Sequence, residues 1–463
     1  MTKTAQADRP RAAALFESAK KIYPREIEGR FARLSKLATY SLLGLFYVVP
    51  WLMWDERQAF LFDLPARKFY LLGLTLWPQD FIYLAWLLML LAFALFFFTA
   101  LGGRLWCGFA CPQTVWTEAF IWMEQWTEGT RSQRMKLDRA PWRWNKLWRK
   151  GSKQLLWIAF SLWTGLTFVG YFTPVRELGA DIANLDVGGW TLFWGLFYGF
   201  ATYGNAGYMR EQVCKYMCPY ARFQSAMFDN DTLIISYDAS RGEPRGGRKR
   251  AVDRKAEGLG DCIDCTLCVQ VCPTGIDIRD GLQYDCIACA ACIDACDEVM
   301  DKMNYPRGLV RYTTENAMQG QKTRVFRPRM LVYAGLLAIL MTALVTSIAT
   351  RTPVLLDVIR DRNTLYRELP GDIIENTYTV KIINQSNDAR EFVLGVDGVP
   401  GLTLDGVDNP VRVQGGDMLS LPVRARTHRD NAYGIMNITF SVAAIDDEKV
   451  GRIEDSRFLG PTP

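Results

Sequence analysis

Five long apolar runs, none containing a charged residue, lie at residues 37–54, 81–101, 155–172, 187–209 and 330–350. A helix needs about 20 such residues to cross the hydrocarbon layer of a membrane, and each run approaches or reaches that length. The pattern predicts an α-helical transmembrane bundle of about five helices. The shorter apolar stretch at 69–78 cannot span and reads as interfacial. A different period takes over near the end of the chain. Tyr378-Thr-Val-Lys-Ile-Ile, Val411-Arg-Val and Asn437-Ile-Thr-Phe-Ser-Val alternate apolar and polar positions, and Asn384-Gln-Ser-Asn and Gly415-Gly-Asp supply turns between them. That spacing predicts an Ig-like all-β sandwich of roughly seven strands.

A chain of 463 residues exceeds one ordinary domain. The divisions expected are a cytoplasmic segment 1–36, a four-helix membrane domain 37–209, a cytoplasmic region 210–329, a fifth helix 330–350 and an outer sandwich 351–463. The net charge of +5 matters only once it is mapped by segment. Lys20, Lys21, Arg25, Arg30, Arg33 and Lys36 precede the first run. Arg131, Arg134, Lys136, Arg139, Arg143, Lys146, Arg149, Lys150 and Lys153 crowd the loop after the second, against Asp138. The loop after the third run has Arg176 against Glu177, Asp181 and Asp186. The positive-inside rule then puts the N-terminus inside and the sandwich outside. No cleaved signal peptide is expected, because a polar basic segment without a small-residue cleavage site leads into the first helix.

Twelve cysteines all lie at or before Cys296, so the outer, oxidising side would hold none. The single histidine, His428, argues against bis-histidine haem and histidine-based zinc or copper sites. Redox chemistry in this chain must run on sulfur. Cys262-x-x-Cys265-x-x-Cys268-x-x-x-Cys272-Pro273 is the bacterial ferredoxin run, and Cys286, Cys289, Cys292 and Cys296 repeat it, with Asp297 in place of the usual proline. In such paired runs three thiolates come from one loop and the fourth from the other. Two [4Fe–4S] clusters follow: one on Cys262, Cys265, Cys268 and Cys296, the other on Cys286, Cys289, Cys292 and Cys272. The basic stretch at 241–255, just upstream, reads as a solvated linker near anionic lipid, with a docking patch for an acidic electron donor as the alternative.

The four remaining cysteines form two copies of Cys-x-x-x-Cys-Pro: Cys107 and Cys111 after the second apolar run, Cys214 and Cys218 after the fourth. Cysteines four apart share a helix face. The proline after each second cysteine breaks the chain and starts a new helix. The pattern predicts four thiols converging near the cytoplasmic surface, built from a parallel internal repeat; the competing reading is free cysteines packed in apolar surroundings. Their softness suits Cu(I), zinc or a cluster, or they cycle as dithiols, and Met217 offers a thioether.

These motifs, with Trp106-Cys-Gly-Phe-Ala-Cys-Pro-Gln-Thr-Val-Trp and the outer sandwich, resemble the CcoG family, also called FixG or RdxA. The resemblance implies an inner-membrane protein of Gram-negative bacteria, needed to assemble the cbb3-type cytochrome c oxidase. It implies a cupric reductase, with Cys107, Cys111, Cys214 and Cys218 handling copper. Partners would be membrane lipid, copper chaperones or transporters, the oxidase subunits and an electron donor. No nucleic acid is expected. The chain has no Gly-rich dinucleotide fingerprint and no phosphate loop, so a soluble donor or a membrane quinol must supply electrons. The competing readings are a quinol-linked conduit to a periplasmic reductase, as in the NapH and NosR types, and a non-enzymatic scaffold or redox sensor.

Overall fold

The computed structural model describes residues 21–250, 257–362, 364–386, 388–447 and 449–462. Lys20 and the end of the basic linker, including Arg254 and Lys255, lie outside the described residues. The chain forms two compact units, Met1–Met53 with Leu88–Ala338 and Trp54–Leu87 with Ile339–Pro463.

Nine helices matter for the first unit or its borders: α1 Arg30–Val48, α2 Phe81–Gly102, α3 Leu105–Phe109, α4 Pro112–Glu128, α5 Trp144–Val169, α6 Gly189–Thr202, α7 Pro219–Met227, α8 Ala291–Met303 and α9 Pro328–Ala349. Two are long and apolar enough to cross a membrane: α2, counted with its leading turn as Pro78–Gly102, and α9. Only 6% of the most apolar stretch of each is buried, which suits a lipid-facing surface. The other three expected spans are less regular. α1 stops at Val48, because Pro50 denies a backbone donor and Val49–Trp51 tighten into a 3-10 turn. The third run sits inside α5, whose first turns carry Lys146, Arg149, Lys150 and Lys153. The fourth is α6 followed by a π-turn, Tyr203–Met209. Length and composition thus single out two of the five among the described residues.

α5 and α6 pack backbone to backbone. A Cβ on Gly165 would lie 2.1 Å from the Gly195 carbonyl oxygen, and Gly195 and Gly199 form a Gly-x-x-x-Gly stripe. Small residues at this spacing let apolar helices approach where burial supplies no net drive.

The loop between α2 and α5 holds charges that its sequence does not advertise as paired. Glu124 and Glu128, on α4, are fully buried. Glu124 meets Arg134 at 3.3 Å and Arg210 at 2.9 Å; Glu128 meets Lys150 at 2.9 Å and Lys153 at 3.0 Å. Buried Lys146 donates to the Asp138 and Ala140 carbonyls. Several of the cations counted for orientation are thus neutralised inside the protein rather than facing lipid.

The ferredoxin insert is closed by the antiparallel pair Ile234–Tyr237 and Val310–Thr313. These strands and α8 enclose a core of Ile235, Ile293, Met300 and Leu309. Asp294 on α8 accepts from the backbone amides of Phe31 (3.3 Å) and Ala32 (2.7 Å), capping the start of α1 from outside that helix.

In the second unit the apolar 69–78 stretch is not a lone interfacial segment. It forms part of a three-stranded meander, Phe60–Asp63, Lys68–Leu71 and Leu74–Leu76. Asp80 fixes that unit's base, accepting from Arg351 at 2.5 Å and Gln385 at 3.2 Å. The sandwich has a sheet of five strands and one of four. The first runs Thr403–Asp405, Met418–His428, Ile373–Asn384, Val354–Arg360, with Arg367–Leu369 at one side. The second runs Val411–Val413, Arg390–Asp397, Ile435–Ala444, Gly451–Leu459. Fully buried Tyr378 bridges the sheets, packing edge-on to Phe440 at 5.0 Å and donating to the Arg457 carbonyl at 2.8 Å.

Candidate redox centre

The two ferredoxin runs adopt one backbone form twice. Asp264 and Thr266 in the first run, and Ala288 and Ala290 at the same offsets in the second, all have positive φ, between 52° and 62°. Non-glycine residues seldom take this conformation unless the surroundings enforce it, and here it recurs at functional loops. Cys262, Cys265, Cys268 and Cys296 line one small apolar cavity with Val299 and Met300. Cys272, Cys286, Cys289 and Cys292 line a second, which Cys268 also borders. The structure therefore gathers each set of four expected from the spacing, including the exchange of Cys296 and Cys272. The helical turn of the first run stops at Gln270, ahead of Pro273, whereas α8 continues through Asp297, whose carboxylate accepts from Gly308 N at 2.9 Å. The missing proline costs no ligand.

Both cavities fit an iron–sulfur cluster by the chemistry of their donors: four thiols each, in apolar surroundings, with all twelve cysteines of the chain free. Burial pushes the thiols of Cys268 up to about 11 and Cys296 up to about 12, so metal rather than pH must draw off their protons.

The Cys-Pro pairs also come together. Cys111 and Cys218 are extended residues at the head of α4 and α7, with Pro112 and Pro219 in the first helical turn, as expected. The second copy departs from a plain helix, for Val213–Met217 is a π-turn, an irregularity common at functional sites. The sulfurs lie near enough to bear on one another: Cys111 and Cys218 act on Cys107, Cys218 on Cys111, and all three on Cys214. Burial is the main cause that raises Cys107 to about 11 and Cys214 to about 12. Met217 is 55% exposed, so the extra thioether is not gathered into the site.

Three contacts set this quartet against the second ferredoxin run. A Cβ on Gly108 would stand 2.7 Å from the Ala288 carbonyl oxygen, so only glycine lets the first pair press onto the loop carrying Cys286 and Cys289. Arg104, 5% exposed, donates to the carbonyls of Tyr284, Cys286 (3.3 Å) and Ala221 (2.6 Å), joining that loop to both copies. Lys215 pairs with Asp285 at 2.9 Å. Gln113 donates to the carbonyls of Asn205 (2.9 Å) and Arg210 (3.1 Å), locking one copy to the approach of the other. A cavity of about 150 Å³ opens beside the quartet, bordered by Gln113, Glu118, Glu211, Cys214, Pro273 and Cys289. Sequence reasoning missed Arg104, Gly108 and Gln224, whose Oε1 accepts from the Cys107 thiol at 3.5 Å; their only signal was adjacency to the repeated motif.

Three family models match this chain. Residues 209–315 match a 4Fe-4S dicluster domain, residues 84–128 a 4Fe-4S binding domain, and residues 344–461 the Ig-like fold at the C-terminus of FixG. The chain is 38% identical to the nitrogen fixation protein FixG of Rhizobium meliloti, over 84% of this chain and 82% of that one. It is 38% identical to protein RdxA of Cereibacter sphaeroides, over 94% and 92% of the two chains. A crystal structure of a FixG-related protein from Vibrio parahaemolyticus aligns with 23% of this chain and 96% of its own at 31% identity, with a TM-score of 0.22.

Proposed function

This chain belongs to the FixG/RdxA family, and from that premise we propose that it reduces Cu(II) to Cu(I) for assembly of a cbb3-type cytochrome c oxidase. Its broader character, an iron–sulfur electron-transfer protein, rests on the two 4Fe-4S domain matches. The copper reading is carried by one observation: four half-buried thiols from two distant motifs meet beside a ferredoxin loop, in a chain whose only histidine is His428.

Sulfur donors prefer Cu(I) to Cu(II). A thiol site therefore holds the product state more tightly and makes Cu(II) easier to reduce. The step is Cu(II) plus one electron giving Cu(I), with the electron drawn from an external donor, either a soluble reductant or a membrane quinol. [4Fe–4S] clusters, when bound, supply one-electron storage at potentials set by charge, hydrogen bonds and exposure. Cys262, Cys265, Cys268 and Cys296 would hold one, and Cys286, Cys289, Cys292 and Cys272 the other. Arg104 keeps a cation between the quartet and Cys286. Gly108 keeps the gap between the two sulfur sites narrow. The cavity beside Cys214 gives a small substrate access to the quartet.

The same reading places the protein in a bacterial inner membrane through five helices, with the ferredoxin insert in the cytoplasm and the cysteine-free sandwich outside. Copper chaperones or transporters would supply the metal, and oxidase subunits would receive it. The test uses purified, cluster-loaded protein under argon with a chemical reductant and Cu(II). A Cu(I)-specific chromogenic chelator should report fast reduction by the wild type and background rates after Cys107→Ala or Cys214→Ala. Equal rates in all three would refute the assignment.

A further inference from the structure

We propose that Cys107, Cys111, Cys214 and Cys218 ligate a third [4Fe–4S] cluster, shared between the two Cys-Pro motifs. The proposal rests on the electron-transfer reading above and changes the quartet's part in it: the four thiols hold a cluster that passes the electron, and copper meets that cluster at the neighbouring cavity instead of being ligated by the quartet.

The first observation is a motif used three times. Cys268-Val-Gln-Val-Cys272-Pro273, inside the ferredoxin run, has the same form as Cys107-Gly-Phe-Ala-Cys111-Pro112 and Cys214-Lys-Tyr-Met-Cys218-Pro219. In the ferredoxin run both thiols of this module serve iron–sulfur cavities, Cys268 one and Cys272 the other, so the module marks cluster ligation although there it divides its sulfurs between two sites. The second concerns number. The 4Fe-4S binding domain matched at residues 84–128 contains just two cysteines, Cys107 and Cys111. A cubane held by thiolates takes four. The missing two must come from elsewhere: Cys218 bears on both members of this pair, and both members bear on Cys214.

The third observation is spacing. A single zinc or copper ion needs sulfurs about 2.3 Å from the metal, which forces them to within about 4 Å of one another. Among the described residues no three Cys, His, Asp or Glu side chains gather closely enough to hold one ion. The ferredoxin sets share that property, because a cubane offers each thiolate its own iron and so keeps the ligands apart. The quartet behaves in this respect as the two ferredoxin sets do.

The fourth is an orphaned donor. Gln224 is fully buried. Its Oε1 accepts from the Cys107 thiol at 3.5 Å, while its Nε2 has no hydrogen-bond partner. A buried amide donor left unmade is costly. Once Cys107 is a thiolate it can no longer donate, and rotation of the amide lets Nε2 donate to sulfur instead. Arg104 supplies the nearby cation that a thiolate-rich cluster favours. Ligation releases the thiol protons and forms four Fe–S bonds, with no change of oxidation state required.

The experiment is the iron and acid-labile sulfide content of the full chain, purified anaerobically and reconstituted, together with its low-temperature EPR spectrum after reduction. The expectation is about twelve irons per chain, four for each cluster. The Cys111→Ala/Cys218→Ala variant should lose about four of them and one EPR component, while keeping the ferredoxin signals. Gln224→Leu should keep the full iron content and move the midpoint potential of that component alone. About eight irons in the wild type would overturn the proposal, as would one equivalent of zinc or copper displaced by the same double variant. These readouts do not depend on Cu(II) reduction. A protein with twelve irons and no cupric activity would retain the third cluster and lose the copper reading; one with eight irons and full activity would do the reverse.

Discussion

The ferredoxin insert and the Cys-Pro quartet both present sulfur, but they assemble it in opposite ways. Between Cys262 and Cys296 the ligands arrive from two short loops whose positive-φ residues recur at the same offsets. Local geometry does nearly all the work. The quartet draws Cys107 and Cys111 from the end of α2 and Cys214 and Cys218 from beyond α6. Its convergence depends on tertiary contacts: Gly108 against Ala288, Arg104 on three carbonyls, and Gln113 on Asn205 and Arg210. A site built from distant segments is more easily disturbed from outside, so its supporting residues should matter as much as its ligands.

Several variants would break or sharpen that contrast. Single alanine substitutions at Cys107, Cys111, Cys214 or Cys218 should each lower Cu(II) reduction on the order of a thousandfold. The quadruple variant should be little worse, because residues acting as one unit are not additive. Steady-state Cu(I) formation checks this; four small, additive losses would mean four independent thiols. Next in size, Cys265→Ala and Cys289→Ala should each remove about four irons and leave the quartet's own metal content unchanged, by elemental analysis. Concerted loss of all metal would show that the insert and the quartet fold as one unit.

The support of the quartet should cost less, and chiefly in stability. Glu124→Ala strands Arg134 and Arg210, and breaking a buried charge pair costs about 3–5 kcal/mol. A thermal melt in detergent should fall clearly, with weaker metal loading at the quartet than at the ferredoxin runs. Burial alone would raise Glu124, but Arg210, Lys153 and Arg134 hold its carboxyl below the usual range. A depressed carboxyl contributes stability above its unfolded pKa of about 4.3, and that contribution is lost as pH falls through the folded value. Glu124→Gln should therefore flatten part of the acid limb of the stability profile. The smallest effect is expected from Arg104→Met. Removing that cation should move the potential of the nearby cluster to more negative values while the iron content stays whole. An unchanged potential would make Arg104 a purely structural tie.

Much of this architecture is legible in the amino-acid sequence. Cysteine spacing reports ferredoxin loops because the ligand geometry is local, and alternation at 378–383 and 437–442 reports strands for the same reason. The repeat of Cys-x-x-x-Cys-Pro announces a second sulfur site, and the prolines mark where its helices begin. Tertiary effects hide the remainder. Glu124 and Glu128 sit in an amphipathic stretch that gives no sign of partners 10 or more residues away, so the cations of that loop read as free. Apolar runs 37–54 and 187–209 conceal a proline break and a π-turn within uniform hydrophobicity. The 69–78 stretch conceals its pairing with Phe60–Asp63 because a meander needs its neighbour to be recognised.

The most direct test of the central claim is a single turnover. Protein reduced under argon, freed of excess reductant and mixed rapidly with Cu(II) should be reoxidised in step with Cu(I) formation, one Cu(I) for each electron it had stored. The Cys107→Ala/Cys214→Ala variant, with its ferredoxin signals intact, should stay reduced on the same timescale. Cu(I) forming just as fast in that variant would contradict the account, because copper would then be meeting its electron somewhere other than the quartet.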